Sequence, residues 1–362
     1  MNILLVRLRL IGDVVFTTPV IRALRRHYPE AKIDYLVERA AAPVVEHNPH
    51  LHHVLVVPHT RGWRRIVDDI RLGHRLRAAK YDICVDLHGG PRSAWLTWAT
   101  RAQVRVGYDI PGRTWMYTHV AHRPRVLRAR HSVENQWDLL AALDPALSAP
   151  PDPATDRVEM AVDDATREAA ARRFARLAVP AGAPLVVLHV SAGNPFRRWP
   201  EAAFAELASR LATGGGGRWV LVTGGPSDRE AAARVLAEAR RRAGGHGDRI
   251  LDGEGWSLAE LRALMDHAAL FVGGDSGPLH VAATSEVPVV GLYGPTLAER
   301  SAPWRDRAIP TVSVDAGALP CRPCDQRVCA PGDFRCLSGI PAERVIEAAE
   351  RLLAAGADGS GV

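Results

Sequence analysis

The chain has 362 residues, 47% of them hydrophobic and 24% charged, which is the composition of an ordinary soluble globular protein. This length predicts two domains, because single hydrophobic cores rarely grow beyond about 250–300 residues. No apolar run approaches the roughly 18–20 residues that cross a bilayer. The apolar N-terminus is interrupted by Arg7, Arg9 and Asp13, which favours a first strand over a signal peptide. A cytoplasmic location is therefore expected.

Positive charge is concentrated in the first half of the chain. Residues 1–150 carry 22 Lys and Arg against 13 Asp and Glu, a net charge of +9, whereas the remainder holds 24 against 27. This asymmetry predicts an anionic partner for the first half. No nucleic-acid-binding motif is present, so a phosphorylated lipid or sugar is favoured over nucleic acid. Genome composition would explain arginine in place of lysine, but not the difference between the halves.

Strand and helix patterns alternate throughout, which predicts parallel sheets with helices on both faces. In the first half, strands are predicted near 3–8, 33–36, 54–57, 83–86 and 104–106, and helices near 14–27, 66–79 and 133–143. In the second half, strands are predicted near 185–189, 219–222, 270–272 and 289–292, and helices near 164–177, 201–211, 228–241, 258–267 and 342–354. The Pro- and Ala-rich segment 145–155 is the predicted linker. Ligands bind at the carboxyl ends of such strands, so a cleft between the halves is expected.

The first predicted strand is followed by Gly12 and Asp13, where a helix begins. A carboxylate at this edge of a sheet can serve as the general base for an attacking hydroxyl. The alternative is an aspartate that only caps the helix, and position alone favours that alternative.

The loop after the strand near 185–189 contains Ser191, Arg197 and Arg198, and a helix opens at Pro200 and Glu201. Guanidinium groups are planar donors that suit phosphate, which favours an anion site over a solvated surface loop.

The segment from 273 to 296 has the pattern strand, tight turn, helix, strand, tight turn. Asp275 or Ser276 can cap the helix, and Pro278 suits its first turn. The N-terminus of such a helix attracts anions. The alternative is an ordinary βαβ crossover without a ligand.

Three motifs in this order resemble glycosyltransferase family nine, the ADP-heptose–lipopolysaccharide heptosyltransferases: Gly12-Asp13, Arg197-Arg198-Trp199-Pro200, and Asp275-Ser276-Gly277-Pro278…His280 through Gly294-Pro295-Thr296. The resemblance implies an α/β GT-B fold of two doubly wound Rossmann-like domains that face a central cleft. It implies an acceptor-binding domain over 1–155, a nucleotide-sugar donor-binding domain over 156–340, and a C-terminal helix with a flexible tail over 341–362.

The resemblance also implies an activity: inverting transfer of heptose from ADP-heptose, or a related nucleotide sugar, to the phosphorylated lipid A–core acceptor. No metal or cofactor is implied, and peripheral contact with the inner face of the cytoplasmic membrane is expected. Four alternatives remain open: transfer of another sugar to a cell-surface glycan, a nucleotide-sugar epimerase, a hydrolase, and a non-catalytic nucleotide-binding protein.

The resemblance assigns a role to individual residues. Asp13 would be the catalytic base. The donor would contact Gly12, Ser191, Arg197, Arg198, Asp275, Ser276, Gly277, His280, Gly294 and Thr296. The resemblance implies that the basic first half receives the acceptor, and Arg61, Arg64, Arg92 and Arg105 are its candidate contacts there. The alternative for most of them is a solvated helix face, and Arg92, in a loop after a strand, is the strongest candidate. Arg197 stands where members of the family usually carry lysine. Ser227 and Asp228 stand where some members place an acidic nucleotide contact, so recognition of the donor base stays open.

Four of the five cysteines form a cluster near the C-terminus. The spacing of Cys321, Cys324, Cys329 and Cys336 would suit a thiolate zinc site. Buried or free thiols are the favoured alternative, and disulfides are disfavoured in a reducing cytoplasm.

Overall fold

The computed structural model describes residues 1–122, 130–190 and 194–358. The chain forms two compact units. The first unit comprises Met1–Ala161 and Trp304–Asp306, and the second comprises Val162–Pro303 and Arg307–Val362. The short segment around Trp304 belongs to the first unit because its indole Nε1 donates to the carbonyl oxygen of Asp156 at 2.9 Å.

The first unit is a six-stranded parallel sheet with flanking helices. Its strands are β1 (Asn2–Val6), β2 (Lys32–Val37), β3 (His53–Val56), β4 (Ile83–Asp86), β5 (Val104–Tyr108) and β6 (His119–Ala121). Its helices are α1 (Ile11–Val15), α2 (Thr18–His27), α3 (Trp63–Ala78), α4 (Pro91–Ala99) and α5 (Ser132–Leu143). The strand order is β3-β2-β1-β4-β5-β6, and every pair is parallel.

The second unit repeats this architecture. Its strands are β7 (Leu185–Val190), β8 (Trp219–Gly224), β9 (Ile250–Asp252), β10 (Leu270–Gly274), β11 (Val289–Tyr293) and β12 (Thr311–Asp315). Its helices are α6 (Asp164–Ala175), α7 (Glu201–Thr213), α8 (Arg229–Ala243), α9 (Leu258–Met265), α10 (Gly277–Ala282), α11 (Ala298–Ser301), α12 (Arg335–Ser338) and α13 (Ala342–Asp358). The order is β12-β11-β10-β7-β8-β9, again all parallel.

Numbered from the first strand of each unit, both sheets have the Rossmann order 3-2-1-4-5-6, which confirms the predicted doubly wound class. The central strands are apolar on both faces, as helix-covered parallel strands must be. Leu4 and Leu5 of β1 and Phe271 and Val272 of β10 are fully buried. Helix α13 contributes to the second core through Val345 and its apolar neighbours.

The predicted helix 14–27 is two helices in the structure. The hydroxyls of Thr17 and Thr18 donate to the carbonyl oxygens of Val14 and Val15 at 2.7 and 2.8 Å, and Pro19 lies in the first turn of α2. Proline has no N–H for an interior helical bond, so it begins a new helix.

Three strands that were not predicted are all at sheet edges: β6, β9 and β12. Two of them have only three residues, so their hydrophobic pattern is too short to stand out. Helix α4 was also not predicted, because Gly90 and Pro91 were interpreted as part of a loop; they are in fact its N-cap and first residue.

Candidate active site

Each sheet has a point at which the strand order reverses, and ligands of doubly wound sheets bind outside the carboxyl ends of the strands there. In the first unit this point lies between β1 and β4, and in the second between β7 and β10. Asp13 follows β1, Arg197 follows β7 and Asp275 follows β10. The fold therefore puts the predicted catalytic carboxylate and two predicted donor residues at these two switch points.

Asp13 is the third residue of α1, and its carboxylate is held from two sides. Its Oδ2 lies 2.5 Å from Arg7 Nη2 and accepts the backbone N–H of Leu10 at 3.4 Å. Leu10 is the N-cap residue of α1, so Asp13 is not the N-cap. Arg7 also donates from Nη1 to the carbonyl oxygen of Leu87 at 2.5 Å and thereby links the ends of β1 and β4.

The two side chains of the Arg7–Asp13 pair differ in solvent exposure. The Asp13 side chain is 36% exposed, whereas the Arg7 side chain is 12% exposed. Arg7 therefore lies beneath the carboxylate and orients it, while Asp13 can reach a ligand. A carboxylate that faces outward can act as a proton acceptor.

The loop after β4 brings a histidine to the same switch point. Burial and the charge of Arg7 together lower the pKa of His88 to about 4, so the imidazole is neutral at pH 7. Asp86 orders this loop: its buried carboxylate accepts the backbone N–H groups of His88 and Gly89, both at 2.9 Å. The sequence analysis missed Arg7, Asp86 and His88 as site residues. A signal was present, since polar residues directly follow two apolar strand patterns.

In the second unit, Asp275 is the centre of a cluster of four residues from three loop regions: the turn into α10, the loop after β7 and the loop after β11. Its carboxylate lies 3.2 Å from Arg197 Nη1 and 3.3 Å from His280 Nε2, and it accepts the Thr296 hydroxyl. Burial alone would raise the pKa of Asp275, but hydrogen bonding and charge from His280, the charge of Arg197 and the Thr296 hydroxyl together lower it to about 2.

The pair formed by Asp275 and Arg197 shows the reverse exposure. The Asp275 side chain is 6% exposed and that of Arg197 is 26% exposed. A guanidinium has five N–H donors, so Arg197 can engage Asp275 and still present donors outward. This geometry suits an oxyanion such as phosphate.

The remaining predicted donor residues lie around this cluster. Ser276 is the N-cap of α10 and Gly277 its first residue, and Arg198 is exposed. A side chain at Gly294 would bring its Cβ within 2.5 Å of Leu337, so packing already requires glycine there. Gly12 is buried in α1, in the first unit. Ser191 lies outside the described residues.

The four predicted acceptor arginines differ in their surroundings. Arg61 and Arg64 are exposed where β3 leads into α3. Arg92 is only 14% exposed, and its Nη2 lies 2.6 Å from a carboxylate oxygen of Asp69. Arg105 donates to two carbonyl oxygens, one of which belongs to Ala102 at the amino-terminal end of β5. The structure therefore groups Arg61 and Arg64, pairs Arg92 with a carboxylate and directs Arg105 away from the carboxyl edge.

A cavity of about 190 Å³ opens at the carboxyl ends of β8 and β9, with Arg229 and Trp256 among its lining residues. Beside it, the Asp228 carboxylate accepts the backbone N–H of Gly225 at 3.1 Å. Asp228 is almost buried, so it stabilises the turn after β8.

The C-terminal cysteines are free thiols, and burial raises the pKa of Cys336. In the part of the chain that the structure describes, no three His, Cys, Asp or Glu side chains are grouped so as to hold a metal ion. No described helix has both the length and the apolar character needed to cross a bilayer.

Known proteins resemble this chain over nearly its whole length. The family model for glycosyltransferase family 9 (heptosyltransferase) matches residues 70–330. Lipopolysaccharide heptosyltransferase 3 of Escherichia coli is 30% identical over 98% of this chain and 99% of its own. The glycosyltransferase family 9 structure from Veillonella parvula DSM 2008 has a TM-score of 0.80 at 24% identity, covering 98% of this chain and 97% of its own.

The solved E. coli ADP-heptose LPS heptosyltransferase II has a TM-score of 0.77 at 23% identity, and the match covers 98% of this chain and 99% of that one. These neighbours and the two parallel sheets confirm the predicted α/β GT-B fold class. The chain belongs to glycosyltransferase family 9, the heptosyltransferase family, and is a glycosyltransferase.

Proposed function

We propose that this protein transfers heptose from ADP-heptose to a phosphorylated inner-core lipopolysaccharide acceptor, with inversion at the anomeric carbon and without a metal ion. The observation that carries the proposal is Asp13, a carboxylate held by Arg7 yet open to solvent, in a chain of the heptosyltransferase family. An oriented general base is what a single displacement by a sugar hydroxyl requires.

In the proposed reaction, the Asp13 carboxylate removes the proton from the acceptor hydroxyl as that oxygen attacks the anomeric carbon of heptose. The new C–O bond forms while the bond from the anomeric carbon to the diphosphate breaks, and its electron pair leaves on ADP. The products are the heptosylated acceptor, ADP and protonated Asp13, which returns its proton to water. One displacement on the face opposite the leaving group inverts the configuration.

Arg197 would stabilise the negative charge that develops on the departing diphosphate. Preorganised cationic donors lower the barrier of such steps because they need no reorganisation during the reaction. Asp275 would act as a positioning residue, since it contacts Arg197, His280 and Thr296 without being exposed itself. Arg197 would thus supply the positive charge that a metal ion supplies in other phosphate-leaving reactions. The remaining donor contacts, Gly12, Ser191, Arg198, Ser276, Gly277 and Gly294, stay proposals.

The cavity beside β8 and β9 is the proposed site of the adenine ring. Trp256 offers an aromatic surface there, and Arg229 offers a cation beside it. An aromatic wall suits a purine because offset stacking needs no particular hydrogen-bond pattern. This assignment places base recognition on Trp256 rather than on Asp228, whose carboxylate is bonded to its own turn.

The acceptor would bind to the basic first unit, with Arg61 and Arg64 on its phosphates. Arg92 would support this surface through Asp69, and Arg105 stays a more distant candidate. Because the acceptor is lipid-linked, we place the protein at the inner face of the cytoplasmic membrane as a peripheral enzyme.

The experiment is to incubate the protein with ADP-heptose and deacylated, phosphorylated core acceptor, with and without EDTA. Mass spectrometry should find one heptose added per ADP released, and NMR should find the anomeric configuration inverted relative to the donor. EDTA should leave the rate unchanged. Release of ADP without acceptor would instead identify a hydrolase, and conversion of the donor sugar to an isomer would identify an epimerase.

A further inference from the structure

Helix α3 turns large apolar side chains towards solvent. Trp63, Ile66 and Ile70 are 70%, 64% and 46% exposed. Their spacing of three and four residues puts them on one side of the helix, and we call this set the α3 stripe. The opposite side packs inward through Leu72 and Leu76, which are buried. Single exposed apolar residues are normal, but a contiguous stripe on one helix indicates an interaction surface.

Arginines border the α3 stripe. Helix α3 carries five of them and two aspartates. The arginines are Arg64, Arg65, Arg71, Arg75 and Arg77, and all five are exposed. Asp69 lies 2.6 Å from Arg92 and 3.9 Å from Arg65, and Asp68 lies 3.6 Å from Arg71, so the helix keeps an excess of positive charge. The outer surface of α3 is therefore apolar at its centre and basic at its borders.

The first unit holds nearly all of the exposed apolar side chains. Of the nine large hydrophobic residues exposed in the described residues, eight belong to this unit: Met1, Leu10, Val56, Trp63, Ile66, Ile70, Trp115 and Val120. Only Val328 belongs to the second unit. Exposed apolar surface and positive charge thus coincide in one half of the protein.

We propose that the α3 stripe inserts into the head-group region of an anionic lipid bilayer, with the bordering arginines on the lipid phosphates. An amphipathic helix with tryptophan on its apolar face and arginine beside it has the composition of helices that lie in the membrane interface. Basic residues next to an anionic leaflet are attracted by its negative surface potential.

A second copy of this chain fits the surface less well. A symmetric contact would place the arginine borders of two α3 helices against each other, and such like-charge contacts are unfavourable. The α3 stripe has three large side chains, whereas a stable protein interface needs about 20–30 residues on each side. The charge and the small apolar area both favour a bilayer.

This inference rests on the proposed function for its purpose, because a lipid-linked acceptor lies at the same membrane surface. Helix α3 begins just after Arg61, at the carboxyl edge of the sheet that also carries Asp13. Docking through α3 would therefore bring the catalytic edge of the first unit next to the acceptor.

The test uses the full chain and vesicles of phosphatidylcholine, with or without one-third phosphatidylglycerol, in a co-sedimentation assay. The variant Ile66→Ser/Ile70→Ser removes the centre of the stripe, and Val328→Ser is the matched control, because Val328 is 76% exposed in the other unit. Wild type and control should bind the anionic vesicles, and the double variant should bind about tenfold or more weakly. Equal binding by the double variant, or no binding by wild type, would overturn the proposal.

Three further measurements separate docking from folding, dimerisation and catalysis. Thermal unfolding of the double variant should match wild type, since substitutions of exposed residues change stability little. Loss of a wild-type dimer in sedimentation, without a change in vesicle binding, would assign the stripe to a second copy. The double variant should keep wild-type turnover of deacylated acceptor and lose rate only on acceptor in vesicles. If no heptose is transferred at all, the proposed function fails while vesicle binding is still decided by itself.

Discussion

The two units use the same strand order but present opposite charges at their switch points. Each has an arginine–aspartate pair there. In the first unit the arginine is the more buried member and the carboxylate faces outward; in the second the carboxylate is buried and the guanidinium faces outward. In each unit the less buried member of the pair sets the chemistry offered to a ligand: an outward carboxylate can accept a proton, and an outward guanidinium can bind phosphate.

Each unit also keeps a neutral histidine near its switch point. Burial lowers the pKa of both His88 and His189 to about 4, with the charge of Arg7 adding to the effect at His88. Neither imidazole therefore carries charge at pH 7. The difference in charge between the two edges comes from the arginine–aspartate pairs.

The largest effect is expected from a substitution of Asp13, the outward carboxylate of the first unit. Asp13→Asn keeps the shape of the side chain but removes the proton acceptor. We expect kcat to fall by about 10²–10⁴, the usual contribution of a general base, while the dissociation constant for ADP-heptose stays within about twofold of wild type. Steady-state transfer rates and calorimetric titration with the donor measure the two quantities.

The matched control for this variant is Asp138→Asn. Asp138 also pairs with an arginine, Arg130, at 2.8 Å, and its side chain is 33% exposed, close to the value for Asp13. It lies in α5 rather than at the switch point. Similar losses of turnover in both variants would mean that Asp13 is not the base, since any arginine-paired carboxylate of this unit would then matter equally.

The next effect is the pH dependence of stability. Because the folded state holds His189 neutral down to about pH 4 while the unfolded chain binds a proton near pH 6.5, stability is full above pH 6.5 and falls as the pH drops towards 4. The shift corresponds to about 3 kcal/mol for this histidine. In His189→Asn, urea unfolding from pH 7 to pH 4 should show a correspondingly smaller loss. Parallel pH profiles for variant and wild type would contradict the assignment.

The secondary-structure elements that could be predicted are those with a long local pattern in the sequence. The central strands were predicted correctly, because apolar runs such as the one that ends in Gly273-Gly274 are local patterns. Two of the three missed edge strands, β6 and β9, have only three residues each. The break between α1 and α2 was missed because Pro19 was not treated as a new helix start.

Local sequence patterns did not predict which side chains pair with each other. Arg92 was predicted to lie in a loop after a strand, whereas it lies in the first turn of α4, and its partner Asp69 comes from α3, 23 residues away. The pairing of Arg197 with Asp275 likewise joins distant segments of the second unit. Such contacts depend on tertiary packing, so local sequence patterns do not specify them.

The outward guanidinium of the second unit should produce a smaller effect on binding. Arg197→Ala removes one charged hydrogen-bonding group from the proposed diphosphate site, which is worth about 1.5–3 kcal/mol, or roughly 10- to 100-fold in the dissociation constant for ADP-heptose. Arg218→Ala is the control, because Arg218 also pairs with a carboxylate but precedes β8 at the amino-terminal edge. Equal weakening by both variants would remove Arg197 from the donor site.

The smallest effect separates the exposed arginines of the first unit from the paired one. Arg61→Ala/Arg64→Ala should raise the acceptor KM about threefold to tenfold at low ionic strength, and salt should reduce the difference because exposed charges are screened. Arg92→Ala should instead lower the free energy of unfolding by about 1.5–3 kcal/mol, because the largely buried Asp69 carboxylate loses its charged hydrogen bonds to Arg92 and is left with Arg65 at 3.9 Å. The contrary result would be an unchanged acceptor KM in Arg61→Ala/Arg64→Ala together with a changed KM in Arg92→Ala at wild-type stability. The acceptor surface would then be centred on Arg92, and the positive charge of α3 would act only in membrane binding.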